Sequence, residues 1–182
     1  NVEAIRILGP HLADRNPTLR RYVAARFVEF GQREALKPAV LEESMAMLAG
    51  SSWRGLEQAA LVLGTLDHKP AAPRFIELLE HSRPEVNISS AWGLRKLRIP
   101  ETLAAAFKHA QAVSDKREGI MPDAGRQLSQ LFQMFGDLRY READPLLRRF
   151  VPKSSLDITV RMSACWALGC LYENQPDNDL AG

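Results

Sequence analysis

The pattern carried by AALVLGTLDHKPAAPRFIELL, from Ala59 to Leu79, returns thirty-one residues later in AWGLRKLRIPETLAAAFKHA, from Ala91 to Ala110. With Gly64 set on Arg95, Ala60 falls on Ala91, Leu63 on Leu94, Leu66 on Leu97 and Ile76 on Phe107. Setting Gly64 on Gly136 places Leu63 on Phe135, Leu66 on Leu138, Ala71 on Ala143, Pro73 on Pro145 and Phe75 on Leu147. Gly169 opens another copy through Leu168 and Leu171. Near the N-terminus YVAARFVEFGQREALKPAVL fits more loosely through Ala24, Phe27 and Phe30. A repeat of this period restricts the chain to architectures in which one small unit stacks on copies of itself.

Each copy holds two apolar stretches at helical spacing. Leu56, Ala59, Ala60, Leu63 and Leu66 form one stripe, and Ala72, Phe75, Ile76 and Leu79 form the next. The polar turn DHKP lies between them, and Pro70 and Pro100 suit the first turn of a second helix, where a missing N–H costs nothing. No stretch alternates strictly or is rich enough in β-branched residues to read as a strand. A single hairpin cannot bury its own stripe, whereas stacked neighbours bury it on both sides. Small Ala60 and Ala91 let helices of adjacent layers approach; Phe132 and Cys165 take that register later, so the stack is uneven.

The expectation is therefore all-α: a right-handed α-α superhelix, a solenoid of about five hairpins with half-repeats at both ends. We read a single domain over 1–182, with a half-repeat at 1–13, repeats at 16–49, 53–81, 84–113 and 122–151, and a truncated one at 155–182. Residues 111–122, QAVSDKREGIMP, lengthen the third-to-fourth spacing by about ten residues, either as a continued helix or as a polar loop. The chain starts at Asn1 inside the apolar segment VEAIRILGPHLA and reads as a piece of a longer protein.

Composition excludes several classes of function. The formal net charge of +2 gives no electrostatic footprint for nucleic acid. No apolar run approaches the roughly 20 residues that cross a membrane. Cys165 and Cys170 are five apart, so on one helix they cannot bridge; they read as buried free thiols, which favours a reducing compartment such as the cytoplasm.

ACWALGCL, Ala164 to Leu171, resembles the first-helix signature of the bacterial HEAT-like repeat family, the phycobilisome-lyase type. AALVLGTLDHKPAAP resembles that signature running into its turn, and QMFGDLRYREADPLL is a partial match. The resemblance spans essentially the whole chain and implies a fold that hosts many functions. Among them are phycobilin lyases, which hold an open-chain tetrapyrrole in the concave groove, and HEAT-like DNA glycosylases, which grip phosphates with a basic face. The deoxyhypusine hydroxylases of this fold build a di-iron site from His-Glu dipeptides. Here only the reversed Glu80–His81 occurs, once.

No Gly-x-Ser-x-Gly, phosphate loop or His-Glu-x-x-His is present, and His11, His68, His81 and His109 are scattered. We therefore expect no catalytic residue, no cofactor, no metal and no enzymatic activity. Arg139, Arg141, Arg148, Arg149, Lys153 and Arg161 are interleaved with Glu142, Asp144 and Asp157, a mixed-charge face that argues against nucleic acid. Trp92 and Trp166 share the register of Leu61 and read as packing between helices. Trp53 follows Ser51 and Ser52, either of which could cap its helix.

The resemblance implies that second helices line the concave face. Arg74, Glu77 and His81 then share one side of a helix, with Lys108 one repeat on and Arg148 or Arg149 from the fourth copy. This mixed strip suits a polypeptide partner, and the functional expectation is a non-enzymatic protein-interaction scaffold. The alternative is an enzyme-associated module, a phycobilin-lyase-like chromophore binder or a glycosylase-like nucleic-acid binder.

Overall fold

The computed structural model describes residues 1–116, 122–152 and 158–173. These residues fold into ten α-helices without a strand. The helices are α1 (Val2–Leu8), α2 (Pro17–Gly31), α3 (Lys37–Ala49), α4 (Trp53–Thr65), α5 (Ala72–Leu78), α6 (Pro84–Leu97), α7 (Leu103–Ser114), α8 (Pro122–Asp137), α9 (Asp144–Arg148) and α10 (Ile158–Leu171). The all-α expectation holds. The contacts divide the chain into two compact units, Asn1–Ile99 and Pro100–Gly182, with the boundary between α6 and α7.

In the first unit α4 packs on α2 and on α6, so first helices of successive repeats stack directly. α3 lies against α4 and α5 against α6. A second helix thus covers the first helix of the repeat that follows more extensively than its own partner. The second unit repeats the arrangement: α10 lies on α8, α7 on α8 and α9 on α10. The core of the first unit includes Ile5, Leu12, Val23, Phe27, Val40 and Val62, then Leu56, Leu63, Phe75, Leu79 and Leu94, all within one per cent of full burial. Each such side chain is worth about 1.5–3 kcal/mol over exposure. The second unit is more aromatic. Phe107 meets Phe135 and Tyr140 edge-on at 6.0 and 5.7 Å, and Phe132 meets Phe150 at 5.1 Å.

The backbone carries the sequence period. Asp67, Arg98 and Arg139 are the residues of positive φ (53°, 50° and 52°) among the described non-glycines. They stand thirty-one and seventy-two residues from the first, the same shifts that align the repeats. Each reverses the chain at the end of a first helix, where glycine is the usual occupant because the left-handed region costs other residues about 1–2 kcal/mol.

Close approach is the second shared feature. A Cβ on Gly64 would lie 2.8 Å from the Trp92 ring and 3.2 Å from Gly93 Cα. One on Gly136 would lie 2.7 Å from the Trp166 ring and 2.8 Å from Ala167 Cα. Trp92 and Trp166 therefore do pack between helices, each over the glycine of the preceding first helix.

Two local expectations are amended. The second helices are shorter than the apolar pattern, α5 having seven residues and α9 five, because each is preceded by a 3-10 turn: Lys69–Ala71 and Arg141–Ala143. Pro70 opens that turn, and Pro73 occupies the first turn of α5 itself. In the third repeat α7 runs on for twelve residues to Ser114, which accounts for part of the lengthened spacing. The rest of that insertion, 117–121, lies outside the described residues.

Candidate functional site

Arg74 and Glu77 stand one helical turn apart on α5 and pair at 2.7 Å. The guanidinium also reaches the Leu48 carbonyl. His81 is not on that helix. α5 ends at Leu78, and His81 sits in the turn beyond, where its Nδ1 accepts from the Arg83 N–H at 3.0 Å and its carbonyl accepts from Asn87. Its ring thus helps to start α6 and does not continue the Arg74–Glu77 face.

In the second unit Lys108 is exposed on α7. Arg148 donates to both carboxylate oxygens of Asp144 at 3.0 and 3.1 Å and lies over the Tyr172 ring. Arg149 pairs with Asp115 at 2.8 Å. Arg139 is held by Glu173, and Arg161 donates to the Val151 carbonyl. Arg139, Arg148 and Arg149 are thus each paired with a carboxylate, which sets them apart from free cations that would release counterions from nucleic acid. Lys153 and Asp157 lie outside the described residues.

The most concentrated chemistry lies where the sequence showed only a helix start. Trp53 begins α4, with Ser52 as its cap residue by backbone conformation and no side-chain cap bond. Three guanidiniums surround its ring: Arg83 at 4.4 Å, Arg54 at 4.6 Å and Arg20 at 5.6 Å from the centroid. Arg20 belongs to the start of α2, Arg54 to the start of α4, and Arg83 is the residue that caps α6. Helix N-termini carry partial positive charge and favour carboxylates, so arginine there works against the dipole by a few tenths of a kcal/mol each. Glu57 lies 3.8 Å from Arg20 and Glu85 3.7 Å from Arg83. Arg54 has no ion pair among the described residues. The cluster joins a flat π-surface to excess positive charge, which suits a planar conjugated group bearing carboxylates. Arginine placed at the starts of three first helices was the sequence signal for it.

The remaining candidates are dispersed. His68 is half-buried, and burial first, then the Lys37 charge, lowers its pKa. His109 shares a hydrogen bond with the buried Gln127 at 3.3 Å. Cys165 is exposed and Cys170 half-buried, so the expectation of two buried thiols is corrected. Burial, and then the nearby Asp137 and Glu173 charges, raise the Cys170 pKa. Among the described residues no group of His, Cys, Asp and Glu is arranged to hold a metal. Nor is any helix long and apolar enough to cross a membrane.

Stacked first helices, each covered by the second helix of the repeat before, define an all-α protein built from repeated helical hairpins. No family model matches the chain, and no curated protein does. Among solved structures it is similar to the complex of CpcE and CpcF of phycocyanin lyase from Nostoc sp. PCC7120, with a TM-score of 0.71 and 21% identity. The superposition covers 97% of this chain and 66% of that one, so this chain spans just under two thirds of its neighbour's length. At that identity the likeness establishes the fold. The neighbour is itself a lyase, which runs against the expectation that the chain is no enzyme and withdraws it.

Proposed function

We propose that the chain is an enzyme-associated helical-repeat module of the phycocyanin-lyase type, within the HEAT-like repeat family. In this reading it takes an open-chain tetrapyrrole as substrate and works with a second protein, as CpcE stands in complex with CpcF. The observation that carries the proposal is the fold likeness, which runs over nearly the whole chain. The Trp53 cluster supports it chemically. Conjugated tetrapyrroles are planar and carry propionates, and the half-buried indole among Arg20, Arg54 and Arg83 offers stacking together with carboxylate recognition.

The test is a titration with biliverdin followed by visible absorbance and induced circular dichroism. Saturable binding, weakened about tenfold by Arg54→Ala, supports the reading (~1.4 kcal/mol). Arg54 suits the purpose because it has no ion pair among the described residues to break. An unchanged spectrum at saturating pigment refutes it.

For the second protein we propose contact through Arg74 and Glu77 on the first unit, and through Lys108, Arg148 and Arg149 on the second. Their mixed charge supports a polypeptide surface. Charge reversal at Glu77 and Lys108 should weaken partner binding and leave the helical circular dichroism unchanged. Undiminished binding would remove these residues from the interface.

A further inference from the structure

Arg20 stands where the repeat has no place for a charge. With Ala24 set on Ala60 it falls on Leu56, and Leu56 and Leu128 fill the core at that register. Arg20 is 8% exposed, and its Nη1 reaches the Arg15 carbonyl. Its Nε is buried without a hydrogen-bond partner among the described residues. Glu57 Oε2, the oxygen nearest to it, is buried without one too. The two lie 3.8 Å apart, beyond the ~3.2 Å of an N–H···O bond. Arg83 and Glu85 repeat the mismatch beside the same indole: 3.7 Å separates them, and Glu85 Oε2 is again buried and unpartnered. Polar atoms left unmet in a protein interior cost free energy, and a site that keeps several of them around one aromatic ring is a site that a ligand completes. Glu57 follows Trp53 by one turn and shares its side of α4. Arg54 rests on the ring with no hydrogen bond or ion pair among the described residues, so it is free to move aside for an incoming group.

A planar ligand that meets these atoms must bring two kinds of group: a carboxylate for Arg20 Nε and an N–H for Glu57 Oε2. An open-chain tetrapyrrole has both, since its propionates accept and its pyrrole and lactam N–H groups donate. It also carries a basic imine nitrogen. We infer that Glu57 is the group that accepts the pigment's pyrrole N–H and holds a proton on its imine nitrogen. The inference rests on the tetrapyrrole reading of the Trp53 cluster. The proton comes from solvent, Glu57 stays ionised as the counter-ion, and no bond of the pigment breaks. An opposite charge within about 4–6 Å, shielded from water, favours the charged form of its neighbour by about a pKa unit or more. The other charges around the indole are Arg20 from α2, Arg54 from α4, and Arg83 with Glu85 from α6. Asp14, paired with His11, bears on the site through Arg20. α3 meets this end of α4 through the uncharged Met47, beside Gly55. The pigment's own propionates neutralise the arginines, which leaves Glu57 to set the charge at the imine.

The test is the visible absorbance of biliverdin held at saturation on the full chain and followed against pH, since protonation of the imine moves the band to longer wavelength. Bound pigment should keep its proton to higher pH than free pigment does, a comparison that needs no variant. Glu57→Gln, matched in size but not in charge, should lower the pKa of the bound pigment by about one unit, a tenfold loss of proton affinity. Glu57→Asp keeps the charge and should retain most of the effect, and Glu85→Gln should move the titration less than Glu57→Gln. Identical titrations of the parent and Glu57→Gln complexes overturn the inference, and so does an equal shift from Glu85→Gln. Biliverdin that binds, and binds more weakly to Arg54→Ala, but titrates as it does in water leaves the tetrapyrrole reading standing and removes this role from Glu57. Biliverdin that does not bind removes both. Induced circular dichroism shows at each pH that the pigment is still bound, and far-ultraviolet circular dichroism that each variant is folded.

Discussion

Gly136 and Gly169 occupy the same register one repeat apart, yet alanine should act on them with opposite sign. Within a helix, replacing glycine by alanine gains about 0.5–1 kcal/mol from backbone entropy. At Gly169 nothing described stands within 4 Å of the new methyl, so the gain survives intact. At Gly136 the methyl would lie 2.7 Å from Trp166 Cζ3 and 2.8 Å from Ala167 Cα. Carbon atoms in contact settle at about 3.5–4.0 Å, so the two helices must part by most of an ångström. The Trp166 ring could swing outward, but Ala167 Cα is backbone and moves only with α10. Overpacking of this kind costs about 1–3 kcal/mol, which leaves Gly136→Ala destabilised by about 1–2 kcal/mol after the helical gain. Gly64→Ala meets the Trp92 ring at 2.8 Å but backbone only at 3.2 Å, and should cost less. The assay is urea unfolding followed by far-ultraviolet circular dichroism. With a slope of about 2 kcal/mol per molar urea, the midpoints of Gly136→Ala and Gly169→Ala should separate by about 1 M on opposite sides of the parent. If both variants shift in the same direction, the close approach of α8 and α10 is not what glycine is there to permit.

Three further outcomes are expected. Arg98→Gly relieves a left-handed residue at φ 50° and should raise thermal stability by about 0.5–1 kcal/mol; a lower melting temperature would show that the arginine side chain outweighs the strain. The His68 pKa is lowered in the folded state, so the neutral ring is the stable form there. Its contribution is present above the ordinary histidine pKa and is lost as pH falls through the folded one, so His68→Gln should flatten the acid limb of a stability-against-pH curve below the ordinary histidine pKa; an unaltered acid limb would remove His68 as its source. Under limiting maleimide at mildly alkaline pH, Cys165 should be modified before Cys170, because the first is exposed and the second has a raised pKa; peptide mass spectrometry reads the order, and the reverse order would contradict the burial of Cys170.

The repeat was legible because stacking demands it: a small residue at Ala60 and Ala91, apolar residues at Leu63 and Leu94, and a reversal three residues after Gly64. What escaped was whatever depends on neighbours in space. The repeat spacing of Arg74, Glu77 and His81 points to one helix reaching His81, whereas the chain turns at Leu79 and Glu80 and delivers the His81 ring to the start of α6. The exposure of Cys165 is not legible because Ala60, Ala91 and Phe132 at the same register are all fully buried. The Trp53 cluster assembles from residues 20, 53, 54 and 83, which only the parallel stacking of α2, α4 and α6 brings together. Function was the least legible. A helical repeat supplies surfaces rather than motifs, so a missing catalytic signature does not decide whether such a chain serves an enzyme.

The second helices cover the first helix of the next repeat more than their own, and this sets the unit of inheritance apart from the unit of folding. Read along the chain, a copy is α4 followed by α5. Read through the packing, the cohesive pair is α5 with α6. The two frames are out of phase by one helix, so a segment cut at the sequence boundaries carries away an apolar face and leaves another behind. A segment cut half a period later takes a finished joint with it. A designer who wished to lengthen or shorten this protein would splice within the tight turns at Asp67 or Arg139, where the left-handed residue marks the seam, and leave the connection between α5 and α6 untouched.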